Sequence, residues 1–364
     1  MKKLGISIYP EKSTFEADKA YLDLAHKYGF IRVFTSLLQI EEDAEGILKN
    51  FQKVVSYASS LGMEVMVDIN LKLFAQLGVS YDDLSFFSEM GAYGIRLDMG
   101  FGGLEEKRMT LNPYGLKIEI NSSMGGGYLD QIMTFLPNRD NLFTCHNFYP
   151  RRYTGLSYEH FVKCNQLVKK HGLESTAFVT SQVGKIGPWK VQDGLPTLEA
   201  HRYLDIASQV AFYKLIDDID NIMVGNAYAT EAELKAMADA FNAKLPSLLI
   251  EIEPAATEIE RKILLGMPQT IRGDFSAYLM RSSMSRIIYK DEDIPAHAKT
   301  KQIKRGDILI DNNDYKQYKG EVFFALQDME NDGRTNVVGK IAAENLYLVD
   351  FINPWSTFSL VEKK

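Results

Sequence analysis

The sequence predicts an α/β fold, an N-terminal (β/α)8 TIM barrel followed by a small β-rich domain, and three observations lead there. Short β-branched runs alternate with longer segments of helical period for about eight rounds, the pattern of a parallel sheet wrapped by helices. After Ala243 the alternation stops, and shorter strand candidates follow at close spacing. The 364 residues also exceed the length that one hydrophobic core usually serves. The expected division is therefore a barrel over 1–243 and a β domain over 244–364, joined by a short linker poor in Gly and Ser, with the second domain contributing to a shared cleft.

In chain order the barrel strands are read in "KLGISIYP", "FIRVFTSL", "EVMVDIN", "GIRLDMG", "LKIEIN", "NLFTCHNFYP", "STAFVTSQ" and "NIMVGNAY". Between the first two, "TFEADKAYLDLAHKYG" predicts a helix with an apolar face of Phe15, Ala17, Leu22, Leu24 and Ala25 and a stop at Gly29. A doubly wound open sheet fits less well, because no GxGxxG follows the first strand. In the second domain "LPSLLIEIEP", "KRGDILIDN", "GEVFFALQDM", "NVVGKIA" and "ENLYLVDFI" read as strands, with turns at Gly306, Asn312, Asn313, Gly320 and Asp332-Gly333.

Composition excludes several classes of function. Hydrophobic residues make up 46% and charged residues 24%, as in a globular chain with a core. A net charge of -7 argues against a general nucleic-acid binder, although a local pocket can still be basic. No stretch is long enough to span a bilayer, so no membrane partner is expected. "MKKLGISIYP" is too short in its apolar part for a secretory signal, and Cys145 and Cys164 form neither a disulfide framework nor a zinc spacing. A cytoplasmic protein with reduced thiols is expected.

Active sites of this fold lie at the C-terminal ends of the strands, and side chains alternate along each strand. Arg96 and Asp98 share a face on strand four; Lys117, Glu119 and Asn121 share one on strand five; Met66, Asp68 and Asn70 do so on strand three. The apolar alternates should pack on the helices, so the polar sets should point inward. Asp98 and Glu119 then meet at the mouth, as two carboxyl groups able to flank one substrate atom. That is what glycoside hydrolysis requires: one group protonates the leaving oxygen, and the other attacks the sugar carbon or activates water. The same residues also suit a charge-paired layer without chemistry, and Asp68 is a third carboxyl candidate.

Beyond strand six, His146, Asn147, Tyr149, Arg151 and Tyr153 mix polar and aromatic groups of the kind that bind a sugar ring. The Gly-rich loop after strand seven carries Lys185, Trp189 and Lys190 at a position where barrels often bind phosphate. Arg272 and Arg281 of the second domain could reach over the barrel mouth to hold an anionic group, or either could form an interdomain salt bridge. A metal could be drawn from Asp68, Glu119 and His146, but no HxH or HExxH spacing supports one. Neither a metal nor another cofactor is expected.

The stretches "LGISIYPEKST", "IRLDMGF", "CHNFYPRRYTGLS", "GLPTLEAHR" and "NVVGKI", in this order over essentially the whole chain, resemble the MupG-type family of 6-phospho-N-acetylmuramidases. The resemblance implies a TIM barrel followed by a cyclophilin-like β domain. It further implies cleavage of MurNAc 6-phosphate-GlcNAc to MurNAc 6-phosphate and GlcNAc in cytoplasmic cell-wall (peptidoglycan) recycling. Asp98 and Glu119 are then the expected catalytic pair. Asp68, Asn121, His146, Asn147, Tyr149 and Arg151 are expected to contact the sugars, and Lys185, Arg272 and Arg281 the phosphate. A non-catalytic phosphosugar sensor or carrier and a metal-dependent barrel hydrolase are the alternatives. The oligomeric state, a homo-oligomer included, stays open.

Overall fold

Eight parallel strands close in chain order into a barrel: β1 (Lys3–Ser7), β2 (Arg32–Ser36), β3 (Glu64–Ile69), β4 (Gly94–Leu97), β5 (Lys117–Asn121), β6 (Leu142–Cys145), β7 (Ser175–Val179) and β8 (Asn221–Val224). β8 pairs with β1 to complete the ring. Each of the eight runs read from the sequence contains one of these strands. The computed structural model describes residues 2–37, 44–70, 74, 77–297 and 300–363. The chain divides into two compact units, Met1–Val210 with Asp217–Phe241, and Ala211–Ile216 with Asn242–Lys364.

The first helix, Phe15–Lys27, begins where the Thr14 hydroxyl accepts the Ala17 N–H at 3.3 Å, and Gly29 leaves it with φ +81°. Leu22 and Ala25 are buried as the periodicity requires, whereas Ala17 is exposed, because Asp18 and Tyr21 take the inner positions of the first turns.

Inside the barrel the strands present alternating layers. Phe34 of β2 and Phe178 of β7 meet edge to face at 5.4 Å although their strands are not neighbours, so both rings fill the interior. A lower layer is ionic. The Arg32 guanidinium, fully buried, donates to Glu119 at 3.0 Å, to Glu174 at 3.3 Å and to the Thr176 hydroxyl at 3.1 Å. Glu119 faces inward as alternation demands, and there it is a counter-ion of Arg32, because a guanidinium without solvent must be matched by carboxylate.

The second unit is a seven-stranded sheet, built from β9 (Ser247–Ile252), β10 (Gln269–Thr270), β11 (Leu279–Ser282), β13 (Asp307–Asp311), β14 (Val322–Ala325), β16 (Thr335–Ile341) and β17 (Thr357–Glu362). Its order is β10-β17-β9-β16-β13-β14-β11, with β12 (Gln302–Ile303) and β15 (Met329–Glu330) as a separate pair. Only β17 and β9 pair in parallel. One expected strand is absent: "ENLYLVDFI" forms 3-10 turns over Ala343–Phe351. Its buried residues, Asn345, Leu348 and Val349, recur at helical rather than alternating spacing, and the Asn345 side chain caps the Leu249 N–H at 2.8 Å.

Replacing Glu119 by Ala leaves Arg32 buried with less compensation, and the expected loss is about 3–5 kcal/mol. Urea unfolding of Glu119→Ala against the wild type measures it.

Candidate active site

The ends of β3, β4 and β6 converge on one guanidinium. Arg96, almost fully buried, donates from Nη1 to Asp68 Oδ1 at 2.7 Å and lies 3.7 Å from Asp98 Oδ1; its Nη2 donates to the Asn147 side-chain oxygen. Register explains the meeting, since Asp68 and Arg96 are partners on β3 and β4, and Asp98 follows β4 with its N–H on the Ile69 carbonyl at 3.3 Å. Together with Asn147, Phe148, Tyr149, Pro188 and Trp189 they line a cavity of about 200 Å³. Polar groups below and aromatic walls above suit a sugar.

The two carboxyl groups differ in setting. Asp68 is 3% exposed, and burial pushes its carboxyl up to about 7 against the pull of Arg96. The Asp98 side chain is 39% exposed and open to the cavity. One guanidinium thus holds a shielded and an accessible carboxyl on the same space.

The cavity walls are tied down from behind. The Ser123 hydroxyl accepts the Asn147 N–H at 2.7 Å, and Thr197 donates to the Asn147 carbonyl at 2.9 Å. Arg202, 2% exposed, donates to the carbonyls of Tyr149 at 2.9 Å, Asp193 at 3.1 Å and Gly194 at 3.3 Å, so it joins the loops after β6 and β7. Its fork also meets Glu199 at 2.7 and 2.6 Å, which holds that carboxyl down near 2. Glu199 in turn accepts the Tyr153 and Gly155 N–H groups at 2.9 and 2.8 Å. Asn226 donates to the Ser181 and Gly184 carbonyls at 2.9 and 2.8 Å, while Ile186 and Ala227 exchange backbone bonds of 2.6 and 2.8 Å. The loop bearing Pro188 and Trp189 is therefore a fixed wall.

Several expected site residues lie elsewhere. His146 is fully buried behind the wall: Nε2 faces the Asn165 side-chain oxygen at 2.8 Å and Nδ1 the Ser123 hydroxyl at 3.2 Å. Burial lowers it to about 4, which keeps the ring neutral. Asn121 accepts the Ser123 N–H at 2.9 Å and reaches the Asp98 carbonyl at 3.5 Å, so it shapes the β4 and β5 ends without lining the cavity. Arg151 and Lys185 are exposed on the loops after β6 and β7, outside the cavity lining. In the second unit Arg272 grips Asp274 through two bonds of 2.7 Å, and Arg281 bonds Glu321 at 2.9 Å and lies 3.6 Å from Asp274. These two guanidiniums already have carboxylate partners, and both partners belong to the second unit, so these are not the interdomain salt bridges that were the alternative. Asp68, Glu119 and His146, from which a metal site could be drawn, are committed to Arg96, Arg32 and Asn165; among the described residues no group of three or more His, Cys, Asp or Glu side chains could hold a metal ion. No helix among the described residues is long and apolar enough to cross a membrane.

Sequence reasoning missed Ser123, Glu199 and Arg202. The last two stand three apart in "LEAHR", a helical ion-pair spacing that was the available signal.

Barrel, paired carboxyl groups and aromatic walls at the strand ends are the equipment of a glycoside hydrolase. Models of the N-terminal and C-terminal parts of 6-phospho-N-acetylmuramidase match residues 4–239 and 246–361, and the chain belongs to that family, whose named activity is that of a glycosidase acting on phosphorylated muramyl substrates. The fold is similar to that of an uncharacterized B. cereus protein, 43% identical with a TM-score of 0.90 over 99% of both chains. It also resembles a conserved Enterococcus faecalis protein of unknown function, 24% identical with a TM-score of 0.72 over 99% of this chain and 96% of that one. No curated protein matches the sequence.

The buried His146 makes the protein acid-sensitive in a defined direction. Its pKa is lower folded than unfolded, so the stability it contributes is present above about 6.5 and is lost as pH falls toward about 4. Urea midpoints should fall between pH 7 and pH 4, and fall less in His146→Gln.

Proposed function

We propose that the protein hydrolyses the glycosidic bond of MurNAc 6-phosphate-GlcNAc, releasing MurNAc 6-phosphate and GlcNAc, with Asp68 and Asp98 as the two carboxyl groups at the reacting centre. The observation that carries this reading is the single cavity onto which Arg96 holds both groups, at 2.7 and 3.7 Å. Asp68, shielded and raised to about 7, is the proton donor to the leaving oxygen. Asp98, accessible, attacks the anomeric carbon or takes the proton of the attacking water. Tyr149 and Trp189 give the ring apolar faces to lie on.

The proposal leaves Glu119 out of this pair, since it bonds Arg32 at 3.0 Å and does not line the cavity. For the 6-phosphate the reading turns to Arg151 and Lys185, exposed cations outside the cavity lining but on the same two loops as its wall residues Tyr149 and Trp189. A phosphorylated disaccharide of this kind belongs inside the cell, in peptidoglycan recycling, and the reaction is placed in the cytoplasm on that ground.

The test is turnover of the 6-phosphorylated disaccharide and of its unphosphorylated form by wild type, Asp68→Asn and Asp98→Asn. The wild type should cleave only the phosphorylated sugar, and each variant should lose at least about a hundredfold in kcat. Wild-type protein that binds the phosphorylated sugar without cleaving it contradicts the reading.

Because Asp68 must carry its proton, kcat/KM should fall as pH rises above about 7. A rate that is level from pH 6 to 9 rules out Asp68 as the acid.

A further inference from the structure

The second unit has a cavity of its own, about 520 Å³, larger than the one at the barrel mouth. Alternation along the strands creates it. Met280, Ile308, Ile310 and Phe324 are fully buried in the main core, whereas Leu279, Leu309 and Phe323 point to the other face of the sheet, where β11, β13 and β14 lie side by side. Ile303 and Met329, from the β12–β15 pair, wall that face without closing it. The result is an apolar floor ringed by polar groups, the usual form of a small-molecule site.

The charges on the ring decide what fits. Arg281 is spent on Glu321 and Asp274, and lies 5.9 Å from the rings of Tyr318 and Phe323. Asp332 is spent on Arg334, which stacks on Tyr315 at 4.2 Å. Asp311, at 4% exposure, differs: it accepts the Thr335 hydroxyl at 2.7 Å, and among the described residues no ammonium or guanidinium stands within ion-pair distance. Burial pushes its carboxyl up to about 7, with Glu321 and Asp332 pushing the same way and Arg334 opposing. Glu330 adds a further acid at the rim.

We propose that this cavity is a second binding site, for a primary amine carried on an apolar body, whose ammonium pairs with Asp311 while the body covers Leu309, Phe323 and Met329. The site is independent of the glycosidase reading. A cation is favoured because the one guanidinium of the lining is already matched, whereas the buried carboxyl is not.

The full chain, carrying methyl-labelled Met, is titrated with 2-phenylethylamine, 2-phenylethanol and 3-phenylpropionate, with the Met329 methyl signal as reporter. The amine should shift that signal and bind about tenfold tighter at pH 8 than at pH 6, as Asp311 ionises. Asp311→Asn should remove both the preference for amine over alcohol and the pH dependence. If that variant does not fold, the amine-to-alcohol ratio and its pH dependence in the wild type decide. Equal binding of the alcohol, tighter binding of the acid, or no shift with any probe overturns the proposal.

Discussion

The interior of the barrel depends on how two buried guanidiniums share the carboxyl groups. Arg32 takes Glu119 and Glu174; Arg96 takes Asp68 and Asp98. A guanidinium without solvent is tolerated only where carboxylates and neutral oxygens match it, so each arginine fixes the ends of several strands at once. Arg96 joins β3, β4 and the loop after β6 through Asp68, Asp98 and Asn147. Arg32 and Glu119 are buried and Glu174 is partly exposed, whereas the Arg96 set lines a cavity.

Rigidity of the walls follows from a second use of the same device. Arg202 is as buried as Arg96, yet it spends its donors on Glu199 and on three backbone carbonyls. Loops carry little cohesion of their own, so the carbonyls that would otherwise be buried without donors are the price of holding Tyr149 and Trp189 in place. Asn226, at the end of β8, does the same for the loop after β7. A site held in this way needs little reorganisation when a sugar enters.

Much of the fold was legible. The eight strand runs, the closure into a barrel and the separate mostly-sheet part that follows it come from side-chain period, which burial imposes directly. The failure at "ENLYLVDFI" came from a short apolar run whose helical spacing was read as a strand. For the site, alternation placed Asp68, Arg96, Asp98 and Glu119 on the inner face, but period 2 says nothing about height along the barrel axis or about partners across it. The contact of Glu119 with Arg32, three strands apart in chain order and 87 residues apart in sequence, was therefore invisible. His146 misled for a related reason: it stands beside two wall residues, Asn147 and Tyr149, while its own ring turns to Asn165. Arg272 and Arg281 were legible as cations, and the carboxylates that neutralise them were not.

The central claim is that Arg96 organises the two reacting carboxyl groups. Its most direct test is the steady-state rate of Arg96→Met and Arg96→Lys on the phosphorylated disaccharide, with thermal unfolding as the control for the fold. The account predicts that Arg96→Met loses at least about a hundredfold in kcat with a smaller change in KM, and that Arg96→Lys, which keeps the charge without the fork, recovers part of the loss. A folded Arg96→Met protein turning over at the wild-type rate would contradict it.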